Sequence, residues 1–171
     1  MGHQMSDASV DISVDYIDHM GSDIHVVNAA RVSFDKHAGR YLKQHNDNLI
    51  RYLAKHKHYS PFGHCFASFK IKAPIFVARQ LVKHEYLRWN EISRRYVDTE
   101  PEVYSPKEWR GKAEDKKQGS SGVVDLDHFT NNSLTSCMND SLHRYRDLLD
   151  AGVCPEQARM VLPQATMTEW Y

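Results

Sequence analysis

Apolar and polar positions repeat with two different periods along the chain. Residues 10–17 alternate, with Val10, Ile12, Val14 and Tyr16 on one face, which predicts a half-buried strand at the start of the fold. Ser22 is placed to cap a helix that turns Ile24, Val27 and Ala30 inward and ends near Arg31, leaving Ser33 just beyond its boundary. Residues 41–54 bring Leu42, Leu49 and Leu53 onto one stripe of a polar run, the pattern of a surface helix, and Tyr59-Ser60-Pro61 stops it in a turn. Alternation returns over residues 65–71 as a second strand, and Pro74 opens a helix expected to run to about His84. Residues 113–122 are polar, rich in Gly and Ser and without a period, which predicts a mobile loop. Residues 126–149 carry apolar side chains three to five apart, a long amphipathic helix closed by Gly152; Pro155 begins another helix through about Leu162, ended by Pro163. Strands and helices in this irregular order, with no internal repeat, predict an α+β fold: one mixed α/β domain over residues 1–171, with a sheet core flanked by long helices.

Charge and cysteine content narrow the class. The 171 residues hold 22 Lys and Arg against 22 Asp and Glu, a formal net charge of +0, so no global field argues for a nucleic-acid or membrane-surface partner. No apolar run is long enough to span a bilayer, and the polar start lacks the apolar stretch of a secretory signal, so a soluble, cytoplasmic protein is expected. Cys65, Cys137 and Cys154 are scattered, which disfavours a disulfide framework and fits a reducing compartment; Cys65 and Cys137 are expected to be small core residues. His56, His58 and His64 cluster, but with no H-E-x-x-H spacing and no acidic partner nearby, so no metal site is expected.

One segment departs from neutrality. Between Arg79 and Arg95 stand Arg79, Lys83, Arg88, Arg94 and Arg95 against Glu85 and Glu91, a local formal charge of 5 − 2 = +3. A charge run is commonly only a solvated face. Here Gln80, His84, Asn90, Ser93 and Tyr96 interleave with the cations, giving donors, acceptors and an aromatic plane suited to phosphates and a flat heterocycle.

The text of this segment, KHEYLRWNEISRRY at 83–96, resembles the R-H-R-x-x-S-x-N-E-x-S-x-R-Y signature of flavin-dependent thymidylate synthases, and its second half matches fully. AARVSF at 29–34, HYSPFGH at 58–64, FKIKAPIFVARQ at 69–80 and ARMVLP at 158–163 resemble further blocks of that family in its order. The resemblance implies reductive methylation of dUMP to dTMP, with reduced FAD, methylenetetrahydrofolate and NADPH, in a homotetramer whose subunits share active sites. It assigns Gln80, Lys83, Glu91, Ile92, Ser93, Arg94, Arg95 and Arg159 to dUMP. Ser33, His58, Ser60, Lys83, His84, Glu85 and Glu91 fall where the family holds FAD. Glu91, Ser93, Arg95 and Arg159 would carry the catalytic work of orientation and charge stabilisation, with no cysteine nucleophile.

Three positions depart from the signature. Lys83 replaces an arginine and keeps only its charge, Glu85 reverses a charge, and Arg88 stands where the family has serine. Arg88 or Arg94 is then expected to compensate Glu85. The departures fit a divergent, phage-like branch with the same reaction, a hydroxymethylating variant, or a flavin- and nucleotide-binding module with impaired catalysis. A nucleic-acid-binding domain built on the basic segment is a further alternative, disfavoured by the zero net charge. The chain is also expected to lack the family's C-terminal segment.

Overall fold

The computed structural model describes residues 10–35, 39, 41–114 and 119–171. It divides into two compact units, residues 15–70 and residues 71–171 with the segment before Asp15. Helices and strands are mixed throughout.

The smaller unit begins with β1 (Ser13–Met20), which starts and ends three residues later than the alternation predicts. All eight of its residues are exposed, so the half-buried strand is not found; period-2 alternation reports a capacity to be covered, and nothing described covers this strand. Gly21 then turns the chain at φ +93°, and a Cβ there would lie 2.6 Å from Cys65 Sγ, so both backbone and space require glycine. Ser22 is the N-cap of α1 (Asp23–Arg31) as expected, although its hydroxyl pairs with His25 Nδ1 at 3.0 Å instead of closing the backbone cap. Val26, Val27 and Arg31 are the buried residues of α1, while Ile24 is exposed. After a 3-10 turn at Val32–Phe34 comes α2 (Lys43–Lys55), which buries Asn46 and Leu53. A 3-10 turn at Ser60–His64 leads into β2 (Phe66–Pro74).

β2 runs three residues further than expected, so Pro74 closes a strand and caps the next helix from outside. Its end pairs antiparallel with β5, Ile71 opposite Trp170 and Pro74 opposite Met167, and the sheet order is β1-β2-β5. In the larger unit α3 (Ile75–Leu81) is shorter than predicted: Lys83 and His84 lie in turns beyond it, tied back by bonds to the Gln80 and Leu81 carbonyls. Two short strands, β3 (Trp109–Lys112) and β4 (Ser120–Val124), form an antiparallel ribbon with Trp109 opposite Val124. The loop expected over 113–122 therefore overlaps a strand; its residues 115–118 lie outside the described residues.

α4 (His128–Asp150) matches the long amphipathic helix within two residues. Asp127 caps it by accepting from the Thr130 N–H at 2.8 Å and the Thr130 hydroxyl at 2.8 Å, and Gly152 ends it at φ +84°. α5 (Pro155–Ala158) continues as a 3-10 turn, Arg159–Val161. β5 (Met167–Trp170) follows, unanticipated, with Met167, Thr168 and Trp170 buried. Trp170 centres a small core with Ala73 and Ala78, against which Ile71, Val77, Leu81 and Trp89 pack.

Cys137 lies exposed on α4 and Cys65 is only partly buried, so neither is the core residue that the sequence suggests. Among the described residues no helix is long and apolar enough to cross a membrane, and no group of three His, Cys, Asp or Glu is placed to hold a metal ion.

Candidate functional site

The outer edge of β5 organises the basic segment. Asn90 and Tyr171 exchange backbone bonds at 3.3 and 3.0 Å, and the Ile92 N–H donates to the Glu169 carbonyl at 3.0 Å. Glu91 and Trp170 face each other between these bonds as an isolated antiparallel bridge, the pair type in which side chains sit closest. Residues 90–92 thus form a one-bridge extension of the sheet, although their sequence has neither the length nor the alternation of a strand.

This placement fixes Glu91 at both oxygens. Thr168, whose side chain shares a face of β5 with that of Trp170, donates its hydroxyl to Glu91 Oε1 at 2.7 Å. The Trp89 indole N–H donates to Oε2 at 2.9 Å, and its ring stacks on Trp170 with centroids 4.6 Å apart and planes 21° from parallel. Trp89 is therefore a packed aromatic with its one polar atom satisfied, which sequence reasoning left unassigned.

Beyond Ile92 the chain turns on Ser93, whose carbonyl accepts from Tyr96 and Val97 at 3.1 Å and whose hydroxyl accepts the Arg95 N–H at 3.3 Å. The turn separates the two arginines. Arg94 donates to the Thr99 carbonyl, whereas Arg95 reaches Glu156 on α5, Nε to Oε2 at 3.3 Å, and lies over the Tyr96 ring at 5.4 Å. Arg159, one turn after Glu156, donates Nε to the Glu156 carbonyl at 3.1 Å. Glu156 thus bonds Arg95 through its carboxylate and Arg159 through its backbone carbonyl, and it is a residue that the sequence reading missed. Its carboxylate pairs with a residue 61 positions away, so no local spacing signals it.

Among residues assigned to the nucleotide, the larger unit places Glu91, Ile92, Ser93, Arg94 and Arg95 on one continuous stretch and links Arg95 with Arg159 through Glu156. Gln80 and Lys83 stand apart from that link, exposed at the end of α3 and in the turn after it. Among residues assigned to the flavin, Lys83, His84 and Glu85 are consecutive and exposed in the same turn. No ion pair joins Glu85 to Arg88 or Arg94 among the described residues, and Arg94 is engaged by Thr99, so the expected compensation by Arg94 is not found. Ser33, His58 and Ser60 belong to the smaller unit, all exposed, Ser33 and Ser60 each in a 3-10 turn. His58 stacks on Tyr52 with centroids 6.2 Å apart and planes 18° from parallel, and His56 tilts against the same ring at 4.3 Å.

The family model described as thymidylate synthase complementing protein matches residues 15–171. A flavin-dependent thymidylate synthase of Thermus thermophilus is 42% identical over 155 residues, which cover 91% of this chain and 56% of the relative. One from Thermosipho africanus is 40% identical over 157 residues, covering 91% of this chain and 68% of the relative. The chain thus spans little more than half of the first relative's length. Among solved structures, the UMP/dUMP methylase PolB from Streptomyces cacaoi bound with 5-Br dUMP superposes with a TM-score of 0.81 at 34% identity, over 95% of this chain and 72% of that one.

Proposed function

Because the chain belongs to the thymidylate synthase complementing protein family, that of the flavin-dependent thymidylate synthases, we propose that it methylates dUMP to dTMP. The one-carbon donor is methylenetetrahydrofolate, with FAD as cofactor and NADPH as reductant. The observation that carries this reading is that Glu156 bonds both arginines, Arg95 through its carboxylate and Arg159 through its carbonyl, while Arg95 is also tied to the Ser93 hydroxyl. Two guanidiniums, a hydroxyl and a turn of backbone make a phosphate site, and the incoming phosphate takes over Arg95 from the Glu156 carboxylate. Glu91, on the other side of Ser93, meets the nucleoside. A carboxylate only accepts, so its partner there is a donor of the sugar or base. Gln80, Lys83, Ile92 and Arg94 complete the proposed dUMP set.

The donor chemistry of the remaining residues fits a flavin dinucleotide. Lys83 and His84, exposed in one turn, offer N–H donors to a diphosphate, and Glu85 accepts from hydroxyls; Ser33, His58 and Ser60, of the smaller unit, are assigned to the flavin by the resemblance of their sequence blocks alone. When bound, the reduced flavin supplies the hydride that turns the transferred methylene into a methyl group. The protein's part is to hold the pyrimidine in line and to stabilise it as it becomes electron-rich, a role for Arg95, Arg159, Ser93 and Glu91. We place the protein in the cytoplasm as a homotetramer whose subunits share active sites, residues 1–171 acting as one catalytic domain.

The test is tritium release from C5-labelled dUMP with FAD, NADPH and methylenetetrahydrofolate, run beside labelled UMP because the PolB methylase is named for both nucleotides. Release that requires the folate supports the enzyme. Binding of dUMP and FAD without release would leave a binding module. Arg95→Ala and Arg159→Ala should each raise the KM for dUMP by roughly tenfold or more, the scale of a charge-assisted bond worth about 1.5–3 kcal/mol.

A further inference from the structure

The most tightly held side chain of the motif is Glu91, and what holds it lies outside the motif's matched half. Thr168 is buried on β5 and gives its hydroxyl to one carboxylate oxygen; Trp89, stacked on the buried Trp170, gives its indole N–H to the other. Each oxygen keeps a lone pair after these bonds. Because the two donors bond different oxygens of the carboxylate and are themselves fixed, one by a strand and one by an aromatic stack, they set the plane and direction of the group. Packing alone does not require this, since the backbone pairs of Asn90 and Ile92 already anchor the segment to β5.

We infer that Thr168 and Trp89 are positioning residues for Glu91, holding its carboxylate so that the remaining lone pairs point at a hydrogen-bond donor of the nucleoside. The inference rests on the nucleotide reading given above and goes beyond it, since neither residue belongs to the assigned substrate or cofactor set. A carboxylate free to rotate must be ordered on binding, and that cost appears as lost affinity for the nucleoside part of the ligand. The phosphate part, held by Arg95 and Arg159, is unaffected. This difference separates positioning from simple structural damage, which weakens both.

The experiment measures dissociation constants for dUMP and for inorganic phosphate by calorimetry on the protein and on Thr168→Val, Thr168→Ser and Trp89→Phe, with melting temperatures alongside. Thr168→Val and Trp89→Phe each weaken dUMP by about tenfold and phosphate by less than about twofold, the expectation for one bond to a charged acceptor. Thr168→Ser keeps the hydroxyl and binds dUMP like the parent. In a Glu91→Ala background Thr168→Val has no further effect on dUMP, because it acts through the missing carboxylate. Parental dUMP affinity in Thr168→Val, or parallel loss of dUMP and phosphate, overturns the inference. A parent protein that binds neither ligand overturns the nucleotide reading and the inference with it. The indole proton resonance of Trp89, compared between the parent and Glu91→Ala, identifies the clamp without any ligand; an unchanged resonance also overturns it.

Discussion

Arg31 carries more of the smaller unit than its charge implies. Only 9% exposed, it donates NH1 to Asn46 Oδ1 at 2.6 Å and lies flat over the Tyr41 ring at 3.8 Å, tying the end of α1 to the start of α2. Lysine keeps the charge but has no planar fork to stack and bond at once. Arg31→Lys should therefore destabilise the smaller unit by roughly 1.5–3 kcal/mol, the scale of one hydrogen bond to a charged group. Faster amide hydrogen exchange in α1 and α2, with that of α4 unchanged, checks it. The sequence marks this arginine only as the end of a helix, because its partners lie ten and fifteen residues away and no local period links them. The candidate site divides in the same way. Glu91, Ser93, Arg95 and Arg159 are legible because a motif carries them, whereas Glu156 and Thr168 become visible only when α5 and β5 bring them to the motif's side chains.

Helices were easier to read than strands, and α4 shows why. Its apolar period runs through 23 residues, and Asp127 at its head and Gly152 at its foot carry the cap chemistry in their own residue types. β5 has four residues and takes its identity from β2 on one side and residues 90–92 on the other, neither of which is near it in sequence. Met167, Thr168, Glu169 and Trp170 read apolar, polar, polar, apolar, with no alternation to separate them from a loop. The ribbon of β3 and β4 was hidden likewise, since Ser120, Ser121 and Gly122 read as turn residues and only pairing with Trp109–Lys112 makes them a strand. The α4 cap also has a pH signature. The Thr130 backbone N–H, and then its hydroxyl, hold the Asp127 carboxyl below its ordinary value. A carboxyl lowered in the folded state gives stability that is present above its unfolded pKa and lost as pH falls through the folded one. Asp127→Ala should thus melt a few degrees below the parent near neutral pH, and the gap should close as pH falls through and below the ordinary carboxylate range. A gap that stays constant from neutral pH to pH of about 3 would mean that the cap acts without its charge.

At the scale of the whole molecule, the notable quantity is apolar surface left bare on the chain. Every residue of β1 is exposed, and Val14, Tyr16 and Met20, each more than half exposed, share one of its faces. Tyr16 meets Phe69 of β2 edge-on at 6.0 Å, and Phe69 is itself exposed. Asp18 interrupts that face between Tyr16 and Met20, but its apolar side chains still offer surface that a partner could cover, and a net charge of +0 does nothing to oppose association. We predict that another copy of the chain covers this face, which a single chain leaves open. Light scattering should give about four times the mass of one chain, the state proposed above. Tyr16→Glu together with Met20→Glu should lower that mass while leaving the circular dichroism of the helices in place, because both side chains leave the subunit's own core untouched. A parent that is monomeric at high concentration would show that the face serves no copy of this chain. A double variant with undiminished mass would move the contact elsewhere on the surface, with exposed Phe129 on α4 the next residue to change.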